Sequence, residues 1–164
     1  LTDLLDRVPV DACRYFFNAK PETQMEFDLG LAVREDSENP VYYVQYAHAR
    51  ICTLLKNLAA DGHTVPSPDA VDFSLLTDST ELALIKQIAG YSDIVRLAAR
   101  DYDPSFINRY LTDLAAAFHK FYNACRIKGE AEDLLNARLL LADTARSVLK
   151  NGMELIGCSA PEKM

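Results

Sequence analysis

The chain has 164 residues, of which 49% are apolar, so it is long enough to bury one hydrophobic core of its own. Only 6 glycines and 7 prolines occur, which is typical of a globular helical protein rather than of a disordered chain. The formal net charge of −7 argues against a nonspecific nucleic-acid binder, because basic residues that neutralise phosphates supply most of the affinity in that class.

The four cysteines, at positions 13, 52, 125 and 158, have neither the paired spacing of a zinc site nor the density of a secreted disulfide framework. No run of about 18 apolar residues and no secretory signal pattern occurs, so the sequence predicts neither a membrane span nor export. The motifs GxGxxG, GxxxxGKS/T and HExxH are absent as well. We therefore expect a cytoplasmic protein with reduced thiols and no metal site.

The N-terminal part of the chain predicts short elements. They are the end of one helix, a second helix, a short strand or extended arm, and about one further helical turn, at residues 1–7, 9–20, 24–28 and 29–34. A polar run precedes Pro40 and marks a boundary after residue 37. We therefore expect residues 1–37 to form an appendage to a larger domain, residues 38–164.

The segment from Asn39 to about Asp61 predicts the central helix of that domain. Asn39 is a favourable N-cap, whose side-chain oxygen can accept a hydrogen bond from the first turn, and Pro40 suits the first helical position. Apolar positions recur at spacings of three and four on one stripe: Val41, Val44, His48, Ile51, Leu55 and Leu58. Because His48 lies on this stripe, a buried core histidine is favoured over a ligand.

Four more helices are predicted after a loop at residues 62–77. Asp78 and Glu81 form a capping-box pattern at the start of the first, and an apolar stripe follows at Leu82, Ile85 and Ala89. The others are predicted near residues 92–100, 104–126 and 132–156, with Gly157 as the C-terminal cap. Apart from the arm at 24–28, no sheet is predicted. The predicted fold class is therefore all-α, an antiparallel helix bundle.

Aromatic and basic side chains occupy polar faces of two predicted helices and are candidates for binding: Tyr43, Tyr46, Arg50, Tyr122 and Arg126. Phenol rings and guanidinium groups offer stacking surfaces and planar hydrogen bonding. From periodicity alone, rim tyrosines and solvated cations are nevertheless favoured over an RNA-binding face. Solvent exposure is also expected for Arg138 and Arg146, which lie eight residues apart on the last helix.

Five segments, in order along the chain, carry a family resemblance. NPVYYVQYAHARI (39–51) resembles the segment that opens the anticodon-binding domain of arginyl-tRNA synthetases. VDACRYFF (10–17) and MEFDLGLA (25–32) resemble the end of the catalytic domain in that family. FHKFYNACRI (118–127) and ARLLLADTARSVLKNGMELIGCSAPEKM (137–164) resemble its C-terminus. Pro9 stands where that family usually has glycine, and Gly30 stands where it usually has an acidic residue. Both positions lie outside the expected anticodon-binding domain.

The resemblance implies a fragment of a class I aminoacyl-tRNA synthetase that joins arginine to its tRNA with ATP and Mg. Residues 1–37 would be the tail of the catalytic domain, and residues 38–164 the anticodon-binding bundle. Because the HIGH and KMSKS signatures are absent from this sequence, we expect no catalytic residues or cofactor here, and no activity of the fragment alone. The implied partners are arginine tRNA and the catalytic and N-terminal domains of the same protein. The resemblance also implies that this protein is a monomer.

The resemblance also assigns roles to residues. In that family the tyrosine at the position of Tyr122 contacts the anticodon, and the terminal methionine, here Met164, packs in the anticodon pocket. The predicted anticodon-binding residues are therefore Tyr43, Tyr46, Arg50, Tyr122, Arg126 and Met164, holding an unstacked middle cytosine on aromatic faces. The alternative is a helical module that docks on a protein partner through its tyrosines.

Overall fold

The computed structural model describes residues 2–21 and 26–164, and within these residues every regular element is helical. The α-helices are α1 (Thr2–Leu5), α2 (Val10–Ala19), α3 (Leu29–Ala32), α4 (Pro40–Ala60), α5 (Ser79–Ala89), α6 (Tyr91–Asp101), α7 (Ser105–Ala124) and α8 (Glu132–Leu155). Two 3₁₀ turns, Pro68–Ala70 and Phe73–Leu75, interrupt the predicted loop before α5. The predicted all-α class is confirmed. Residues 24 and 25 of the predicted arm lie outside the described residues, and residues 26–28 form no strand.

The hydrophobic core is centred on α7, which contacts α2, α4, α5, α6 and α8. Leu111, Leu114 and Phe118 of α7 are fully shielded from solvent. Burying a side chain of this size stabilises the fold by about 1.5–3 kcal/mol. The stripe predicted for the central helix faces the same core, and the prediction of a buried histidine is confirmed: His48 is 1% exposed and hydrogen-bonds through Nδ1 to the carbonyl oxygen of Pro161 at 2.9 Å.

Asn39 precedes α4 at the N-cap position, but its side chain does not act as predicted. Its Nδ2 donates to the carbonyl oxygens of Ala32 and Arg34, at 3.3 and 2.8 Å, and its side chain accepts no hydrogen bond from the first turn of α4. The predicted cap hydrogen bond is therefore wrong. The side chain instead ties the turn after α3 to the start of α4, while Pro40 begins the helix as predicted.

Helix α5 starts with the predicted capping box of Asp78 and Glu81, and Ile85 of its predicted apolar stripe packs against the core, but Leu82 does not. Leu82 is 53% exposed, whereas Leu84 and the carboxylate-bearing Glu81 are buried. A buried carboxylate is tolerated only when it is paired, and Oε1 of Glu81 accepts a hydrogen bond from Nε of Arg138 at 2.6 Å. The expectation that Arg138 is solvated is therefore wrong as well, since its side chain is 11% exposed.

Helix α8 ends at Leu155 in a Schellman motif. The N–H of Gly157 donates to the carbonyl of Glu154 at 3.0 Å, and the N–H of Cys158 donates to the carbonyl of Met153 at 2.9 Å. Gly157 has a φ of 74°, which an L side chain rarely adopts, and its predicted role as the cap is confirmed. The chain then continues as a non-helical C-terminal segment, residues 156–164. No helix in the described part of the chain has the length and apolarity needed to cross a bilayer.

Helix α2 shares the core of the bundle, although it lies in the predicted appendage. The hydroxyl of Tyr15 donates to the carbonyl oxygen of Asn108 at 2.9 Å, and Nδ2 of Asn108 donates to the carbonyl oxygen of Tyr15 at 3.0 Å. Burial raises the pKa of Tyr15 to about 12. The predicted boundary after residue 37 therefore divides two segments that are packed together, and it stays a prediction.

Candidate functional site

Three adjacent depressions follow the exposed face of α4. The first has a volume of about 420 Å³ and is lined by Ser37, Tyr42, Tyr43, Tyr46, Arg50, His119 and Asn123. The second, about 150 Å³, is lined by Tyr46, Ala49, Arg50, Thr53 and Met164. The third, about 560 Å³, is lined by Cys52, Thr53, Lys56, Asn57, Glu162 and Lys163. Because neighbouring depressions share residues, they form one surface along about 22 Å of helix, which we call the α4 groove.

The first depression is the aromatic end of the α4 groove, where rings from α4 and α7 converge. The Tyr43 and Tyr46 rings lie 5.2 and 6.0 Å from the ring of His119, measured between centroids. The Tyr42 and Tyr46 rings are nearly parallel, with 6° between their planes, because residues four apart are neighbours on a helix face. The aromatic end therefore presents flat ring faces to a planar ligand.

Arg50 supplies the positive charge of the aromatic end. Its guanidinium carbon lies 4.3 Å from the ring centroid of Tyr122 and 5.9 Å from that of Tyr46, which is cation–π geometry. None of the ion pairs among residues 2–21 and 26–164 includes Arg50. The guanidinium is thus held in position by rings, which leaves its N–H donors available to a ligand.

Burial favours the neutral form of two groups at the aromatic end, His119 and Tyr43. It lowers the pKa of His119, and the nearby charge of Arg50 lowers that pKa further. Burial also raises the pKa of Tyr43, so that its hydroxyl stays protonated. The site therefore combines neutral rings with one cation, an arrangement that suits a planar group carrying hydrogen-bond acceptors.

The C-terminal segment forms the wall of the α4 groove beyond the aromatic end. Met164 is 49% exposed and lies beside Tyr46 and Arg50 in the second depression. The third depression carries the ammonium groups of Lys56 and Lys163, and we call it the basic end. Cations at this place can hold the phosphates of a chain whose bases occupy the aromatic end.

The structure brings five of the six predicted site residues together. Tyr43, Tyr46, Arg50 and Met164 line the α4 groove, whereas Tyr122 supports Arg50 from below. Arg126 lies in the loop after α7, which ends at Ala124, two residues earlier than predicted, and it lines none of the three depressions. Its carbonyl oxygen accepts a hydrogen bond from Nη1 of Arg138 at 2.5 Å.

Sequence reasoning missed four residues that line the aromatic end: Ser37, Tyr42, His119 and Asn123. His119 and Asn123 lie one helical turn before and one residue after Tyr122, so helical spacing around that tyrosine was the available signal. Ser37 precedes α4, and nothing in its local sequence marks it. No group of three or more metal-ligating side chains is assembled within the described part of the chain.

A scan of protein families matches residues 44–164 to the DALR anticodon binding domain. An arginine–tRNA ligase of Ruminiclostridium cellulolyticum is 49% identical over 165 residues, which cover 100% of this chain and 29% of that protein. The corresponding ligase of Acetivibrio thermocellus is 47% identical over 165 residues, with the same coverage of both chains.

A solved structure has the same fold. The arginyl-tRNA synthetase of Thermus thermophilus superimposes with a TM-score of 0.80 at 28% identity, covering 94% of this chain and 26% of that one. The chain thus spans about three tenths of the length of the curated relatives it matches.

Proposed function

Because the chain belongs to the DALR anticodon binding domain family, we propose that it serves as the anticodon-reading part of an arginine–tRNA ligase. The observation that carries this proposal is the aromatic end, where ring faces from two helices surround an arginine that has no carboxylate partner within the described residues. Single-stranded loops of RNA are recognised by stacking of splayed bases on such rings.

The first step of the proposed recognition is the entry of an unstacked base into the aromatic end. The rings of Tyr43, Tyr46 and His119 offer the stacking surfaces. Stacking of one base on an aromatic side chain is worth about 1–3 kcal/mol. It tolerates every base, however, so stacking supplies affinity and leaves discrimination to polar groups.

Arg50 is the group that can distinguish cytosine from uracil. A guanidinium donates hydrogen bonds and cannot accept them. Cytosine presents two acceptors, O2 and N3, on its Watson–Crick edge, whereas N3 of uracil carries a hydrogen. With uracil in the same place, its N3–H would face an N–H of Arg50. Neither donor would then have an acceptor, which costs about 1–3 kcal/mol. The side-chain oxygen of Asn123 can accept a hydrogen bond from the exocyclic amine of cytosine.

The phosphates that flank this base are expected at the basic end. Three cations line the α4 groove, Arg50, Lys56 and Lys163, against one carboxylate, Glu162. Lys56 and Lys163 can make two phosphate contacts, so the logarithm of the binding constant should fall with the logarithm of salt concentration with a slope of about −1.4. Because the chain as a whole carries −7, binding elsewhere on its surface is disfavoured.

The wider function of the ligase is also part of the proposal. Among the described residues up to position 37, five large apolar side chains are 42–48% exposed: Leu5, Val10, Phe17, Leu29 and Val33. Their concentration in this segment supports its role as the tail of a catalytic domain, packed against further parts of the ligase. There, ATP and Mg would be used to join arginine to its tRNA, in a monomeric cytoplasmic enzyme. The chain alone would bind tRNA without catalysis.

The test is binding of an arginine anticodon stem-loop, compared with a loop whose middle cytosine is replaced by uracil. Tyr122→Leu removes the flat ring under Arg50 but keeps an apolar side chain against Phe118. We expect wild type to prefer cytosine by about tenfold, and Tyr122→Leu to lose most of that preference.

The matched control for this test is Tyr91→Leu, a half-buried tyrosine of α6 whose ring contacts Tyr110 instead. It should bind both loops as wild type does. Equal binding of both loops by wild type would contradict base reading by the α4 groove. The family match disfavours the alternative of a module that docks on a protein partner. Stem-loop binding that does not change with salt concentration would favour that alternative again.

A further inference from the structure

The C-terminal segment is held in place by side chains of α2 and α4, since it has no regular structure of its own. At its start, Nδ2 of Asn18 donates to the carbonyl of Ile156 at 3.0 Å, and Nη1 of Arg14 donates to the carbonyl of Gly157 at 2.6 Å. The thiol of Cys158 is buried and donates to the carbonyl of Asp11 at 3.4 Å. The position of this segment therefore depends on α2.

Asp11 is the centre of this attachment. One oxygen, Oδ2, accepts hydrogen bonds from the backbone N–H of Ser159 at 3.1 Å, from the hydroxyl of Ser159, and from Nε2 of Gln45 at 2.8 Å. The same Nε2 also donates to the carbonyl of Ser159 at 3.0 Å. Hydrogen bonds to a carboxylate are roughly twice as strong as those between neutral groups. Asp11 thus joins α2, α4 and the C-terminal segment at one point.

A second attachment lies two residues further along, where Nδ1 of His48 hydrogen-bonds to the carbonyl of Pro161 at 2.9 Å. Met164 lies three residues after Pro161, and three residues span at most about 10 Å. Met164 therefore has a short tether, and the attachments at Asp11 and His48 restrict it to the α4 groove.

We propose that Asp11 is a positioning residue of the anticodon site: it fixes the C-terminal segment so that Met164 closes the α4 groove beside Arg50. This inference rests on the proposed function. Asp11 lies outside residues 44–164, which match the anticodon-binding family, and it is not one of the residues that line the α4 groove. Helix α2 then contributes to the anticodon site by positioning the C-terminal segment, rather than being an appendage.

The first test needs no RNA. The protein is labelled with ¹³C at its methionine methyl groups, and the spectra of wild type and Asp11→Ala are compared by NMR. We expect the Met164 signal of Asp11→Ala to move to the shift and narrow line of a disordered methionine. Met153, which is fully buried, is the internal reference and should stay unchanged. An unchanged Met164 signal would overturn the proposal.

The second test measures binding of the arginine anticodon stem-loop in a double-mutant cycle. Asp11→Ala should weaken binding on the order of tenfold, as expected for loss of one well-placed contact. In a Met164→Ala background the same change should weaken binding clearly less, because the Met164 side chain that Asp11 positions is already gone. An equal effect in both backgrounds would show that Asp11 does not act through Met164.

Two further variants separate positioning from folding and from charge. Asp6→Ala removes an exposed carboxylate that follows α1, so it should leave both the Met164 signal and RNA binding as in wild type. Ser159→Ala removes one hydrogen-bond donor to Asp11. It should change the Met164 signal and RNA binding in the same direction as Asp11→Ala, but by a smaller amount. If wild type fails to bind the stem-loop, the proposed function is contradicted, and the Met164 signal still decides whether Asp11 positions the segment.

Discussion

Two concave surfaces of this molecule each contain an arginine that lies over an aromatic ring. In the α4 groove, Arg50 lies 4.3 Å from the ring centroid of Tyr122. In a second surface, which we call the α7 cavity, Arg109 lies 4.8 Å from that of Phe106. The α7 cavity is larger than the aromatic end of the α4 groove, about 720 Å³ against about 420 Å³, and is lined by Ala83, Lys86, Gln87, Gly90, Asp93, Ile94, Phe106, Arg109, Tyr110 and Asp113.

The two surfaces differ in charge and in how their polar groups are occupied. The α7 cavity carries the carboxylates of Asp93 and Asp113, which repel a phosphate backbone, whereas the lining of the aromatic end carries none. The hydroxyl of Tyr110 already donates to the carbonyl of Gln87 at 2.9 Å. Volume is therefore a poor guide to the proposed RNA site, since open donors and local charge favour the smaller depression.

The largest effect that follows from this comparison is expected on removing each arginine in turn. Arg50→Ala should weaken binding of the arginine anticodon stem-loop by about 30-fold, or about 2 kcal/mol, because both the cation–π support and the hydrogen-bond donors are lost. Arg109→Ala removes the same charge from the α7 cavity and should change binding less than twofold. Fluorescence anisotropy at fixed salt measures both.

Denaturant unfolding of both arginine variants serves as the control, because each change also removes packing over a ring. Similar losses of stability would leave the difference in binding to be explained by the site alone. Equal weakening of binding by Arg50→Ala and Arg109→Ala would contradict binding at the α4 groove and would mean that only overall charge matters.

A smaller effect is expected when the two surfaces are made more alike. Asn123→Asp is nearly isosteric and gives the aromatic end a carboxylate like those of the α7 cavity. It should weaken stem-loop binding by about fivefold, since a like charge opposes the phosphates at about 1 kcal/mol. Asp113→Asn removes a carboxylate from the α7 cavity and should leave binding at the wild-type level. Weakening by neither variant would show that local charge does not select the site.

Local sequence patterns predicted those parts of the fold that depend on neighbours along the chain. The stripe of α4 from Val41 to Leu58, the capping box of Asp78 and the turn at Gly157 all follow from contacts within a few residues. The same periodicity placed Tyr43, Tyr46 and Arg50 on one face. Helix faces can be predicted in this way because their geometry is fixed by 3.6 residues per turn.

Contacts between distant segments could not be predicted from such patterns. Glu81 forms a hydrogen bond with Arg138, which is 57 positions away in sequence. Asp11 forms one with Ser159, which is 148 positions away. Each pair depends on how whole helices lie against each other, which one sequence read locally does not fix. The contribution of His119 to the aromatic end has the same origin, because it requires α7 to lie beside α4.

The smallest effect concerns pH, and it separates the two surfaces because the α4 groove contains an imidazole whereas the lining of the α7 cavity contains none. His119 faces the rings of Tyr43 and Tyr46 and the charge of Arg50, and burial and that charge lower its pKa. The unfolded chain, with an ordinary histidine pKa of about 6.5, then binds the proton more readily than the folded one. The contribution of neutral His119 to the free energy of unfolding is therefore fully present above about pH 6.5. It is lost as the pH drops below that value.

The free energy of unfolding in urea at pH 7.5, 6.5 and 5.5 measures this effect, and one such group contributes at most about 1.4 kcal/mol per pH unit. His119→Gln should show a shallower loss of stability than wild type over this range. Part of the dependence should remain, because burial also lowers the pKa of His48 in the core. An unchanged pH dependence in His119→Gln would mean that its imidazole is as easily protonated in the folded protein as in the unfolded chain, and the aromatic end would then carry a second cation near pH 6.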